Sequence, residues 1–170
     1  IGHSNYSGWQ IADAHWRAVE GGYNRFVTAQ NHYNLLQREI EKEVLPACKE
    51  YGVGMLPYFP LASGLLTGKY QRGVDAPADS RLANFGERGK KALSDRNFDQ
   101  VERLTEFAAG RDKNLLQLAM AWLSSNPLVS SVIAGATRTE QVAANAESIS
   151  WTLDADEFAE VDALLSRNPG

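Results

Sequence analysis

Alternation is the feature that most narrows the fold of this chain. Four short apolar runs, at residues 1–5, 26–30, 53–58 and 129–134, each give way to segments of helical spacing. Strands alternating with helices imply a parallel sheet with helices outside it, an α/β architecture. The runs are nearly continuous in hydrophobicity, as expected when both strand faces are covered. Residue 1 already reads as strand, with no helix or hairpin before it. The expectation is therefore a single domain over residues 1–170 that forms the second half of a larger ring of strand–helix units.

Local signals place the helices. Ser7 and Gln10 form a capping-box pair, and the helix they open should run through Ala12, Ala14, Trp16 and Val19 to Gly21-Gly22. A polar link over residues 31–34 follows the second run. Helical spacing over residues 38–51 contains Pro46, so the ordered helix is expected to begin near that proline. Residues 60–94, rich in Gly, Ser, Asp and Arg, read as a long loop of the kind that serves as a lid or stays disordered. Helices are expected over 98–110, 115–123 and 139–148. A last amphipathic helix carries Phe158, Val161, Leu164 and Leu165 and opens with an Asp154/Glu157 pair.

The balance of charge excludes some functions. A net charge of −4 and a pI near 5.4 argue against general nucleic-acid binding, which needs surplus Lys and Arg. The single cysteine, Cys48, permits no internal disulfide and reads as a small buried group. No apolar run approaches the roughly 18 residues of a membrane span, so no membrane partner is expected. His3, His15 and His32 lack metal-ligand spacing and read as structural or exposed, and no metal is expected. Trp9, Trp16, Trp122 and Trp151 read as packing residues.

Each run ends in small polar groups: Ser4 and Asn5, then Gln30, then Tyr58 and Ser63, then Gly135 and Thr137. Ligands of parallel α/β folds bind at the carboxyl ends of the strands, so these groups are expected on one face. Amides and hydroxyls suit a carboxamide, a ribose or a phosphate better than acid–base work, and Tyr58 offers a flat stacking face. Lys69, Arg72 and Arg81 lie in the long loop, and Arg138 precedes a helix start near Thr139 where an anion would be favoured. Together these describe a site for a phosphorylated ligand with an aromatic head. Each group also has a plainer reading: Ser4 and Asn5 as turn formers, Gln30 as a satisfied amide, Tyr58 as packing, and the basic residues as a solvated face.

Four motifs, in order, resemble the aldo-keto reductases, nearest the branch that includes potassium-channel β-subunits and bacterial general aldo-keto reductases. They are Gly2-His3-Ser4-Asn5, Gln30-x-x-Tyr33-Asn34-Leu35-Leu36, the run from Tyr58 to Tyr70, and Gly135-Ala136-Thr137 with Glu140, Gln141 and Asn145. The resemblance implies strands five to eight of a (β/α)₈ TIM barrel and an NADP(H) cofactor. It implies that Ser4, Asn5 and Gln30 hold the nicotinamide carboxamide and that Tyr58 stacks on the ring. Leu61 and Ser63 would line the pyrophosphate path, and Lys69 and Arg81 would contact the pyrophosphate or the 2′-phosphate. Gly135, Thr137, Gln141 and Asn145 would cradle the adenosine end. Phe59 stands where the family usually has Ser or Thr, and Ala144 where many members have Glu.

The family's catalytic Asp, Tyr, Lys and His belong to the first four strands, so no catalytic residue is assigned here. Tyr33, Tyr58 and His32 match other positions. The expected function is the cofactor-binding half of an NADPH-dependent reductase of aldehydes and ketones, cytoplasmic, with the Tyr of the other half as general acid. The 170-residue chain alone should lack turnover. Its exposed sheet edges should pair it with itself or with the missing half. The alternatives are an NADP(H)-sensing regulatory subunit and a scaffold that binds nothing.

Overall fold

Burial alternates along three of the four apolar runs, and this alternation builds the sheet. In this computed structural model, which describes residues 1–78 and 80–166 with the side chain at 88 set aside, β1 (Gly2–Ser4), β2 (Thr28–His32) and β3 (Gly54–Tyr58) pair in parallel in that order. The register places Gly2 beside Thr28 beside Gly54, then Ser4 beside Gln30 beside Leu56, and finally His32 beside Tyr58. These residues share one face. The alternate residues His3, Ala29, Asn31, Met55 and Pro57 occupy the other face and are buried. Removing a side chain the size of Met55 from water contributes about 2 kcal/mol.

The first row is tight for a visible reason. A Cβ on Gly2 would sit 2.1 Å from the Thr28 hydroxyl, and one on Gly54 would sit 2.1 Å from that of Ser130. Glycine lets the backbones approach there.

Two compact units divide the chain, one of Ile1–Pro60 with Leu123–Gly135, the other of Leu61–Trp122 with Ala136 onward. In the first, helix α1 (Gly8–Gly21) begins as its capping pair predicts: Gln10 Oε1 accepts from the Ser7 N–H at 2.9 Å. It ends at Gly22 in the left-handed region, φ 68°. Helix α2 (Val44–Tyr51) keeps Pro46 in its first turn, where the missing N–H costs least. A short 3-10 segment, Glu39–Glu41, precedes it within the stretch of helical spacing.

Three expectations require correction. The second strand lies two residues later than the apolar run suggests, because register with β3 carries Asn31 and His32 into the ladder. Val27 is left 58% exposed just before it.

The fourth run, 129–134, forms no strand; it meets β3 only at isolated bridges, Met55 with Val129 and Tyr58 with Ile133. Met55 donates to Leu128 O and accepts from Ser130 N, but Pro57, next on that side, has no N–H to donate. Pro57 O accepts from Ile133, and the offset between the segments grows from 74 to 75 residues, one extra residue at the break.

Residues 60–94 are also not a structureless loop. They hold the 3-10 segments Ala62–Thr67 and Ala83–Phe85 and the short helix α3 (Glu87–Ala92). Leu65, Leu66, Tyr70 and Leu82 are buried and anchor the segment.

The rest of the second unit is helical. Helix α4 (Asp95–Ala109) starts three residues before expectation because Ser94 Oγ caps it, accepting from Asn97 N. Helix α5 (Leu115–Ser124) opens on a reciprocal Asn114/Gln117 pair, each side-chain oxygen accepting the other's N–H at 2.9 Å. Helices α6 (Thr139–Ser148) and α7 (Ala155–Ser166) follow, the latter opened by the expected Asp154/Glu157 pair. Arg111 lies over the Phe107 ring at 3.7 Å and bonds to Glu157 and Glu160, which ties α7 to the end of α4. Among the described residues no helix is long and apolar enough to cross a membrane.

Candidate functional site

The carboxyl ends of the three strands carry a directed chain of hydrogen bonds. Tyr58 OH donates to Asn5 Oδ1 at 2.9 Å, Asn5 Nδ2 donates to Ser4 Oγ at 3.0 Å, and Ser4 Oγ donates to Gln30 O at 3.1 Å. The Asn5 N–H also donates to Gln30 O, at 2.9 Å. Asn5 adopts φ 59°, a left-handed turn that Asn tolerates better than most residues, so the chain bends at the strand end and presents its amide. Each donor in the series polarises the next. The side-chain amide of Gln30 makes no hydrogen bond among the described residues and is half-buried, leaving donor and acceptor for something else. Sequence reasoning named all four residues, and the sheet brings them together.

A second layer was not read as functional. His32 lies parallel to the Tyr58 ring, centroids 5.3 Å apart and planes 12° apart, and Phe59 meets both edge-on. The imidazole is held by Asn34, whose side chain is buried. Asn34 Oδ1 accepts from Leu36 N at 2.9 Å, which fixes the amide's orientation. Its two N–H bonds then point to Phe59 O at 2.8 Å and His32 Nε2 at 3.2 Å. Nε2 is the acceptor, so the neutral ring carries its proton on Nδ1. Burial pushes the His32 pKa down, which favours that neutral form. The signal in the sequence was the spacing Gln30-x-x-Tyr33-Asn34, with the pairing of His32 to Tyr58 invisible until the register was known.

Tyr33 has a different task. It is buried and donates to Glu41 Oε1 at 2.7 Å, while Arg38 grips the same carboxylate at 2.8 and 2.9 Å. Burial first, and Glu41 second, push its phenol pKa up, so it stays protonated. Cys48, fully buried, has its thiol pushed up to about 11 by desolvation and is inert.

In the second unit, Leu61 precedes the 3-10 segment, and Ala62, Ser63 and Gly64 all have positive φ, 47°, 58° and 97°. A left-handed run at non-glycine residues is strained and is typical of functional loops. Lys69 Nζ lies 5.1 Å from the Tyr70 ring centroid, and no carboxylate pairs with it among the described residues. A Cβ on Gly64 would fall 2.7 Å from Lys69 Cε, so glycine makes room for the lysine.

Arg72, read from the sequence beside Lys69 and Arg81, is used differently. It binds Asp95, Asp99 and Glu102 of α4, and those bonds, Glu102 and Asp99 foremost, raise its pKa further. Arg81 is exposed in the turn before Ala83–Phe85.

Near α6, Thr137 N donates to Gln141 Oε1 at 2.8 Å and its hydroxyl donates to the same oxygen at 3.2 Å. Gln141 therefore offers only its Nε2 to a ligand. Asn145 is half-buried on the same helix. Gly135 belongs to the first unit and has open space where a Cβ would stand.

Residues 1–166 match the model of the Aldo/keto reductase family. The chain is 40% identical over 156 residues to a protein of Oryza sativa subsp. japonica named "Probable voltage-gated potassium channel subunit beta", covering 87% of this chain and 46% of that one. It is 37% identical over 143 residues to the "L-glyceraldehyde 3-phosphate reductase" of Escherichia coli O157:H7, covering 81% and 41%. A Schizosaccharomyces pombe protein named "Putative voltage-gated potassium channel subunit beta" is 33% identical over 175 residues, covering 99% and 50%. The chain thus spans about half the length of these curated relatives or less.

Proposed function

The chain belongs to the aldo/keto reductase family, and from that premise we propose that it is the dinucleotide-binding part of an NADPH-dependent carbonyl reductase built as a (β/α)₈ barrel, of which these residues supply the second half. The observation that carries this reading is the chain of bonds from Tyr58 through Asn5 and Ser4 to Gln30. Its chemistry fits a nicotinamide: neutral hydroxyl and amide groups for a carboxamide, an uncommitted Gln30 amide, and an aromatic ring beside them. When bound, the reduced nicotinamide supplies a hydride to an aldehyde or ketone carbon.

In this reading Ser4, Asn5 and Gln30 orient the carboxamide, and Tyr58 flanks the ring. Leu61 and Ser63 line the pyrophosphate path, and Lys69 and Arg81 neutralise and hold phosphate oxygens. Gly135, Thr137, Gln141 and Asn145 receive the adenosine end. Lys69 suits a phosphate because no carboxylate already occupies it; Arg72 does not, because three do. The preference for NADPH over NADH rests on Lys69, Arg81 and Arg138. No residue of this segment is assigned as the proton donor, so the segment alone should not turn over.

Titration of the full-length protein with NADPH and NADH, read by quenching of tryptophan fluorescence, tests the reading. Saturable NADPH binding in the micromolar range is expected, together with aldehyde-dependent loss of reduced nicotinamide. A phosphorylated three-carbon aldehyde belongs in the panel because one relative is named for such a substrate. Failure to bind either dinucleotide would overturn it. A second reading is favoured by the relatives named as channel subunits: a regulatory protein that senses NADP(H). Tight binding with very slow turnover on every carbonyl offered would select it.

A further inference from the structure

The His32–Tyr58 pair is the one close aromatic stack formed directly across the sheet by register partners among the described residues. Paired residues of parallel strands project to the same face, so the stack follows from register. What does not follow from register is the fixed plane of the imidazole. An aliphatic side chain at residue 32 would fill the same space without defining an orientation. The imidazole is oriented because Asn34 spends one N–H on it and the other on Phe59 O.

Asn34 is itself clamped. Its backbone exchanges hydrogen bonds with Gln37 in both directions, at 3.1 and 3.2 Å, and its side-chain oxygen accepts from Leu36 N. The Tyr58 hydroxyl is pinned at its far end by Asn5. The Tyr58 ring is thus constrained at two places: by the bond at its tip and by the flat ring along its side.

We propose that His32 is a positioning residue, whose Asn34-held ring sets the tilt of Tyr58 and so shapes the platform offered to the nicotinamide. This rests on the cofactor reading above. His32 touches no reacting atom in this scheme. It acts through Tyr58, and its own ring stays neutral because Nε2 is used as an acceptor and the site is partly desolvated. The imidazole therefore brings no charge to the nicotinamide end.

The test uses the full-length protein, two probes and two variants. NADPH reports both ends of the cofactor; adenosine 2′,5′-bisphosphate carries the adenine and the 2′-phosphate but no nicotinamide. His32→Ala should weaken NADPH about three- to tenfold, the range expected for loss of one aromatic contact. It should leave the affinity for the bisphosphate unchanged. His32→Phe keeps a flat ring beside Tyr58 but gives Asn34 no nitrogen to bond, so it should recover part of the NADPH affinity and of the emission of the bound reduced nicotinamide, and not all of it. Equal NADPH affinity in His32→Ala would overturn the proposal. So would a loss shared by the bisphosphate, or a Phe variant as tight as the unaltered protein, since Asn34 cannot hold its ring. If the unaltered protein binds neither probe, the cofactor reading itself falls and takes this inference with it. If it binds both and only the variants disagree, the inference alone is lost.

Discussion

The strand ends of the first unit and the helix ties of the second place polar groups on opposite principles. In the first, Tyr58, Asn5, Ser4, Gln30, His32 and Asn34 are neutral, and Tyr58, Asn5, Ser4 and Asn34 each donate to an acceptor within the set. In the second, Arg72 faces three carboxylates and Arg111 faces two, so charge answers charge. A neutral network can sit beside an aromatic stack without a large desolvation cost and still leave one amide unspent. A cation already surrounded by carboxylates has little left for a phosphate, however basic its neighbourhood looks in sequence. The difference separates Lys69 from Arg72, three residues apart, into a candidate ligand contact and a structural tie.

Asn34→Ala should show the largest effect of the comparison. It leaves the Leu36 N–H and Phe59 O unanswered and frees the His32 ring, costing about 2–3 kcal/mol of stability. Urea unfolding of the full-length protein measures it; a loss below 0.5 kcal/mol, well under the usual penalty of about 1–3 kcal/mol for unsatisfied buried groups, would show that the network does not depend on this amide.

Lys69→Ala comes next. It should weaken NADPH about tenfold, or about 1.4 kcal/mol, with the melting temperature unchanged. Equal losses in affinity and in stability would place Lys69 among the structural ties.

A histidine on the opposite face sharpens the contrast within the first unit. His3 is buried against Tyr6 and Phe26, both ring nitrogens lack a partner among the described residues, and a cavity of about 10 Å³ lined by His3, Ile11, His15, Phe26 and Val53 adjoins it. His3→Phe should stabilise by about 1 kcal/mol at neutral pH, since an orphaned polar group is replaced by an apolar ring.

The pH dependence has a definite sign. Burial lowers the His3 pKa below 6.5, so the unfolded chain takes up the proton first. Stability of the unaltered protein therefore falls as pH drops through about 6.5, and goes on falling until the folded-state pKa is reached. His32, shifted the same way, adds to the slope. The Phe variant should flatten it; an unchanged slope in chemical denaturation at pH 7 and pH 5.5 would contradict the assignment.

Arg72→Ala should have the smallest effect. Its pairs are solvent-exposed, so stability should change little and NADPH affinity should not change. A fall in affinity would return Arg72 to the phosphate site.

Local chemistry was legible in the residues themselves. The Ser7/Gln10 and Asp154/Glu157 pairs marked helix starts, Gly21-Gly22 marked an end, and Pro46 marked where α2 could begin, because each acts on atoms three or four residues away. The small polar groups at the strand ends were legible too, since parallel α/β chains put such groups on one rim and four motifs in order resembled one family.

Three features were decided only by contacts far apart in sequence. Pairing with β3 exposed the missing N–H of Pro57 and broke the fourth run into isolated bridges. Register between β2 and β3 turned His32 from a link residue into the support of Tyr58. The approach of α4 turned Arg72 from a phosphate candidate into a clasp on three carboxylates. Sequence determined which groups were available and which local turns they favoured. Tertiary structure decided which of them were spent on one another, because a hydrogen bond or ion pair depends on a partner's position, and residues 23 to 76 places apart acquire that position only when the chain folds.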